Sequence, residues 1–313
     1  MVYYIRITLI NGGFDIFGLS FFNILYVPGG VLLFSNFIVL ETNMKDNGTK
    51  EMSFLDHLEI LRWHLLRAFS SIFVVAILAF VFKEIVFDVI ILAPSDPLFF
   101  TNRMLCELAQ KIDMPVLCIN QVPLSFQNIN MSGQFTTHIL VSFVTGIVVA
   151  FPYIFWEFWR FIRPALYDSE VKHSRGAIFF ASILFSVGIL FAYYIITPLS
   201  IHFLGNYQVS ARVENIVNIG SYISTITSIV LAGGIIFELP ILIYFLAKVG
   251  LVSSGFLIKY RKHSIVIALV LAAVITPPDV ISQILVCFPL ILLYESGIII
   301  TKRLEKNRAL ENN

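Results

Sequence analysis

The residues that could do chemistry in this chain are a few acids set among apolar neighbours. Residues 53–67 read SFLDHLEILRWHLLR and carry Asp56, Glu59, Arg62 and Arg67 directly before an uncharged run from Ala68 to Phe82. Glu170 lies in a connection that also holds Arg163, Lys172 and Arg175. Glu238 stands in AGGIIFELPILIYFLAK, ten residues before Lys248. On a helix that is about 15 Å. Carboxylates in such places suit cationic ligands, because they accept bidentate, charge-assisted hydrogen bonds from guanidinium groups. An acid at mid-membrane depth costs at least ~2.5 kcal/mol on insertion scales. Glu238 must therefore face a polar cavity, meet a partner or be protonated. Asp279 and Gln283 flank a TPPD turn, where Asp279 is placed to cap the following helix. Glu157 and Arg160, three residues apart, read as an interfacial ion pair, and Glu295 as a structural acid near the membrane surface.

Other chemistries lack their residues. Cys106, Cys118 and Cys287 show no CxxC spacing, and there is no HExxH and no Gly-rich phosphate loop. No enzyme, metal or cofactor is expected. The formal net charge of +1 and the lack of a basic, aromatic-interleaved patch argue against nucleic acid.

The elements that must position these acids are membrane helices. With 58% hydrophobic and 13% charged residues, the chain is far less charged than a soluble domain. Uncharged or nearly uncharged stretches fall at about 68–82, 135–156, 177–201, 219–247, 264–278 and 280–294. Lys and Arg set the orientation. One side collects Lys45, Lys50, Arg62, Arg67, Arg160, Arg163, Lys172 and Arg175, then Lys248, Lys259, Arg261, Lys262, Lys302, Arg303, Lys306 and Arg308. The other holds Lys83, Arg103, Lys111 and Arg212. Six spans, with the 44–67 segment and the C-terminus cytoplasmic, satisfy this bias.

The connection from about Lys83 to Ser132 carries four prolines and reads as a structured outer cap, within which a Cys106–Cys118 disulfide is one option and two buried thiols the other. Fourteen residues separate Lys262 from Pro277. They make about 21 Å of helix against ~30 Å of hydrocarbon. The fifth span is therefore expected to be short, with the sixth pinned to it by the tight turn. The fold expected is an all-α membrane protein, a curved six-helix bundle with short fifth and sixth helices.

Residues 1–43 fit this plan poorly. The uncharged run between Asp15 and Glu41 is interrupted by Pro28-Gly29-Gly30, and Arg6 is the leader's only basic residue. We expect translation to begin at Met44 or Met52, leaving 44–313 as the six-span domain; an extra span is the alternative.

Four motifs then bring a family into view. FPYIFWEFWRFIRPALYDSE (151–170), FAYYIITPL (191–199), FELP (237–240) and TPPD…SQ (276–283), in register with HLxxLR at 57–62, resemble TatC, a component of the twin-arginine protein translocase. The resemblance runs from about Ser53 to Lys302. It implies a glove-shaped six-helix protein of the bacterial inner membrane with both termini cytoplasmic. It further implies a receptor that binds the twin-arginine signal peptides of folded precursors and recruits TatA- and TatB-type single-span partners. Self-association in a complex and transport driven by proton-motive force belong to the same expectation. Glu170 matches the family's signal-peptide glutamate, and Phe161 matches the aromatic lining that site. Arg62 falls in the HLxxLR segment of the same site. Glu238, Asp279 and Gln283 become candidate partner contacts. The competing reading is a proton- or cation-coupled transporter using Glu238; that predicts inverted repeats, and the two halves do not match.

One departure stands out. Where HLxELR is usual, this chain reads His57-Leu58-Glu59-Ile60-Leu61-Arg62. At 100° per residue, Leu58, Leu61, Leu65 and Leu66 share an apolar face, while Ile60 falls beside Asp56, His64 and Arg67. Asp56 is one turn before Ile60, unless it closes a capping box with Ser53. Three readings stay open: Asp56 takes the role, Glu59 takes it, or Glu170 acts alone. Glu59 is slightly favoured, being i, i+3 to Arg62.

Overall fold

A computed structural model of the protein describes residues 54–114, 118–119, 124–162, 174–210, 212, 215–276 and 280–311. The N-terminal stretch, including Met44 and Met52, lies outside the described residues, as do Glu170 and Asp279.

The described chain is overwhelmingly helical: α1 (Phe54–Val81), α2 (Phe100–Lys111), α3 (Gly133–Ile162), α4 (Ser174–Phe191), α5 (Thr197–Asn206), α6 (Ile219–Phe237), α7 (Leu239–Lys248), α8 (Ser254–Lys259), α9 (Arg261–Ile275) and α10 (Val280–Glu311). A π-helical turn, Ala192–Ile196, joins α4 to α5, and Glu238 marks the break between α6 and α7. The only strands among the described residues, β1 (Phe126–Gln127) and β2 (Val217–Asn218), pair in parallel. An all-α membrane fold follows from the bilayer itself, since helices satisfy their own backbone groups in hydrocarbon.

Six stretches are long and apolar enough to cross a membrane: 58–81, 85–111, 133–162, 178–206, 219–248 and 282–308. Five of these match the sequence expectation. The stretch 85–111 does not, and its geometry is not that of a span. It consists of a π turn (Ile85–Ile91), a 3-10 turn (Ala93–Ser95) and α2, separated by non-helical residues. Its two halves return to one place: the Tyr193 hydroxyl donates to the Ile90 carbonyl at 2.7 Å, and the Thr101 hydroxyl donates to the carbonyl of neighbouring Tyr194. A segment whose residues 90 and 101 touch adjacent residues is folded back on itself. It is the structured cap expected from its prolines. Tyr222 ties it further, donating to the Ile91 carbonyl at 3.0 Å. Cys106 and Cys118 within it are joined by a disulfide.

The helix at the expected fifth span is α9, with 15 residues. At 1.5 Å per residue it is about 22 Å long. The short fifth helix is thus present. Its partner departs from expectation: α10 runs for 32 residues, because nothing breaks the helix between its apolar part and the charged extension from Lys302 onward.

Small residues set the closest helix approaches. A Cβ on Gly146 of α3 would lie 2.7 Å from the Ile72 carbonyl oxygen of α1 and 3.1 Å from the Ala76 Cβ. Between α4 and α6, a Cβ on Gly188 would lie 2.6 Å from the Gly233 carbonyl, and one on Gly233 would lie 2.5 Å from the Ala192 Cβ. Lipid gives no hydrophobic drive between helices, so close packing over small residues supplies the association. Further along, Tyr294 donates to the Leu257 carbonyl at 2.9 Å, and the Arg261 Nε lies 2.7 Å from the Glu295 carboxylate. Glu295 is structural, as its position near the membrane surface suggests. Arg308 reaches back to the Ala247 and Lys248 carbonyls and so satisfies the end of α7.

Candidate functional site

The antiparallel pairing of α1 and α3 builds the candidate site. His138 of α3 stacks on Phe80 of α1 at one end, with ring centroids 3.9 Å apart. At the other end, His64 Nδ1 of α1 lies 2.5 Å from Glu157 Oε2 of α3. The pairing therefore places the charged start of α1 beside the end of α3, where the connection containing Glu170 begins.

The row of α1 turned toward the protein runs through Ile60, His64, Ala68, Ile72 and Ala79, at helical spacing. Leu58, Leu65 and Leu66 are 43%, 52% and 45% exposed, so the leucine face looks outward, toward lipid. Ile60 is half-buried on the inward row, whereas Glu59 and Arg62 are exposed beside it. Position 56 lies one turn before Ile60 in the same row; its side chain is outside the described residues. Glu59 lies off this row.

Glu157 is the acid that the sequence reading under-rated. Its ion pair with Arg160 is present at 3.7 Å, but the carboxylate is not interfacial in exposure. Its side chain is 1% exposed, and its nearest partner is His64, 93 residues away in sequence. Arg160 in turn lies over the Trp156 ring, 5.1 Å from its centroid. Phe161 meets the His64 ring edge-on at 6.4 Å, which joins the expected aromatic to the same cluster. Trp159 is 3% exposed and packs on Phe245 of α7. The signal for His64 was available in its spacing from Asp56 and Ile60; no sequence pattern pairs it with Glu157.

Glu238 sits apart from this cluster. Pro240 leaves the backbone free to break there, and the Gly188/Gly233 crossing lies about one turn away. Both of its carboxylate oxygens are buried without a hydrogen-bond partner among the described residues; the Phe185 backbone runs alongside, outside hydrogen-bonding geometry. Gln283, near the start of α10, donates to the Leu269 carbonyl of α9 at 3.3 Å. These two polar residues do not join the α1–α3 site. No group of three or more His, Cys, Asp or Glu able to hold a metal occurs among the described residues.

Known proteins carry the same pattern. The family profile described as Sec-independent protein translocase protein (TatC) matches residues 56–289. The Sec-independent protein translocase protein TatC of Blattabacterium sp. subsp. Periplaneta americana is 39% identical over 264 residues, covering 84% of this chain and 99% of the relative. That of Campylobacter jejuni subsp. jejuni is 32% identical, covering 79% of this chain and 92% of the relative. Among solved structures, a crystal structure of the twin-arginine translocase receptor TatC in DDM superposes with a TM-score of 0.61 at 32% identity, covering 78% of this chain and 99% of that one. A second crystal structure of that receptor gives 0.57 at 31% identity, covering 79% and 98%. The helix order, the α1–α3 pairing and these matches lead to one conclusion: this chain belongs to the TatC family of Sec-independent protein translocase proteins.

Proposed function

We propose that the chain is the signal-peptide receptor of a twin-arginine translocase, binding the paired arginines of folded precursors at the end of the bundle where α1 begins and α3 ends. One observation carries the reading: His64 of α1 contacts both Glu157 and Phe161 of α3, so the N-terminal helix adjoins the start of the Glu170 connection. Two adjacent guanidinium groups call for more than one carboxylate, and bidentate pairs are the strong form of that contact. Glu170 is one carboxylate of the site, and Asp56 is the better-placed second, in row with Ile60. Phe161 supplies an aromatic wall and Arg62 flanks the site.

The excess of Lys and Arg in the connections at this end puts it, and both ends of the six-span domain, in the cytoplasm of a bacterial inner membrane. Glu238, with a buried carboxylate lacking a hydrogen-bond partner among the described residues, is the contact for a polar group on a TatA- or TatB-type single-span helix. Asp279 and Gln283 assist from the opposite end. Proton-motive force drives the transport, which the assembled complex performs.

Site-specific cross-linking of a twin-arginine peptide, scanned across 53–67 and 160–175, tests the receptor reading. Cross-links concentrated near residues 56–60 and 170 are expected, together with loss of capture in Glu170→Lys and Asp56→Lys. Capture unchanged by Glu170→Lys, Asp56→Lys and Glu59→Lys alike would reduce the first helix to a membrane-surface anchor and end the proposal.

A further inference from the structure

We propose that His64 and Glu157 form a positioning pair that fixes the rotation of α1 and thereby presents position 56, rather than Glu59, to the twin-arginine ligand; this rests on the receptor reading above.

The tight seat of α1 on α3, where Ile72 and Ala76 meet Gly146, lies two to three turns beyond His64, and the described side chains of the first turns are largely uncovered. Glu59, Arg62, Trp63, Leu65, Leu66 and Arg67 are exposed, and only Ile60, Leu61 and His64 are partly covered. A leucine face against lipid tails does not select one rotation, because the tails present the same apolar surface all round. A directional contact does. The His64–Glu157 bond at 2.5 Å is short, joins two helices and ends on a carboxylate that is 1% exposed. A buried carboxylate cannot give up its partner without leaving a charge or a polar group unpaired. Arg160 does not replace His64 in this role. It approaches Glu157 from the same helix at 3.7 Å and lies over Trp156, so this ion pair steadies the acid within α3 and does not itself join the two helices.

The consequence follows from helix geometry. With His64 held on Glu157 and beside Phe161, positions 60 and 56 follow along the same side of the helix, one and two turns earlier. The row reads Asp56, Ile60, His64, so its one acid is Asp56. Glu59 lies 100° around the helix from Ile60 and about 60° from position 56, and it is exposed. Without the pin, a turn of about 60° at the start of α1 would exchange the two acids. His64 and Glu157 are positioning residues here and touch no ligand.

The test uses the full chain in inside-out membrane vesicles, which expose the start of α1 to the medium, with Cys287→Ser and a single new cysteine at position 59 or 60. Labelling by a membrane-impermeant maleimide is expected to be fast for Glu59→Cys and slow for Ile60→Cys. Adding His64→Ala or Glu157→Ala should bring the two rates together. Without the cysteine changes, the same variants should weaken twin-arginine peptide capture by about 10- to 150-fold, the equivalent of one charge-assisted contact. The exchanged pair, His64→Glu with Glu157→His, should restore both readouts, which a general loss of folding would not allow. Unequal labelling that persists in the variants overturns the pin. Equalised labelling with unchanged capture overturns its role in presenting Asp56. If the unaltered chain captures no peptide, the receptor reading fails, and labelling still decides whether the pin exists.

Discussion

Gly146 is where the candidate site can be disturbed from a distance. It lies at the middle of the α1–α3 seam, between the His138–Phe80 stack and the His64–Glu157 bond. An added Cβ would lie 2.7 Å from the Ile72 carbonyl oxygen and 3.1 Å from the Ala76 Cβ. Ordinary contacts of these kinds begin near 3.3–3.5 Å, so the helices must separate by about 0.5 Å or more. Neither obstacle can turn aside, because one is backbone and the other has no rotamer. Overpacking of this kind costs about 1–3 kcal/mol, and the better helix propensity of alanine offsets about 1 kcal/mol of it. With the penalty near its upper end, Gly146→Ala should lose about 1–2 kcal/mol, or about 5- to 30-fold in the unfolding equilibrium. Gly146→Val adds bulk without the propensity gain and should lose more. Reversible denaturation in mixed micelles reads the stability, and peptide cross-linking at 53–67 reads the site. Gly255 of α8 is the control: a Cβ there meets nothing within 4 Å, so Gly255→Ala should be neutral or stabilising. A Gly146→Ala protein as stable as the parent would refute the argument that backbone contact over this glycine sets the α1–α3 distance.

Three other outcomes are expected. Reducing the Cys106–Cys118 bond, or replacing both residues by Ser, should destabilise the cap by about 2–4 kcal/mol; denaturation with and without reductant measures it. Tyr222→Phe leaves the Ile91 carbonyl without its donor at a buried site and should cost about 1–3 kcal/mol in the same assay. Glu238→Gln should leave stability equal or slightly higher, since the acid has no partner within the described chain, while lowering co-purification of single-span partners. A stability loss in that variant with unchanged co-purification would make Glu238 a structural residue instead.

Much of the fold was legible because hydrocarbon imposes simple demands. Long uncharged runs had to be helices, and the Lys262-to-Pro277 spacing required the short helix seen as α9. The prolines between residues 94 and 123 announced a cap, although they did not indicate that Tyr193, Tyr194 and Tyr222 would hold it. The length of α10 was not legible: the charges after Lys302 mark where the membrane ends, which is a different matter from where a helix ends. The FAYYIITPL motif was visible as a family mark, and its tyrosines acquire a physical role only when the cap is seen folded against them.

The site divides along the same line. The sequence by itself determined the acids available, the replacement at Ile60, the leucine face and the family, because each is a matter of residue type and spacing within one segment. Tertiary structure decided which face of α1 turns inward. On that face His64 bonds a carboxylate 93 residues later. Its partner is set by how two helices pack, and periodicity within either helix carries no record of it.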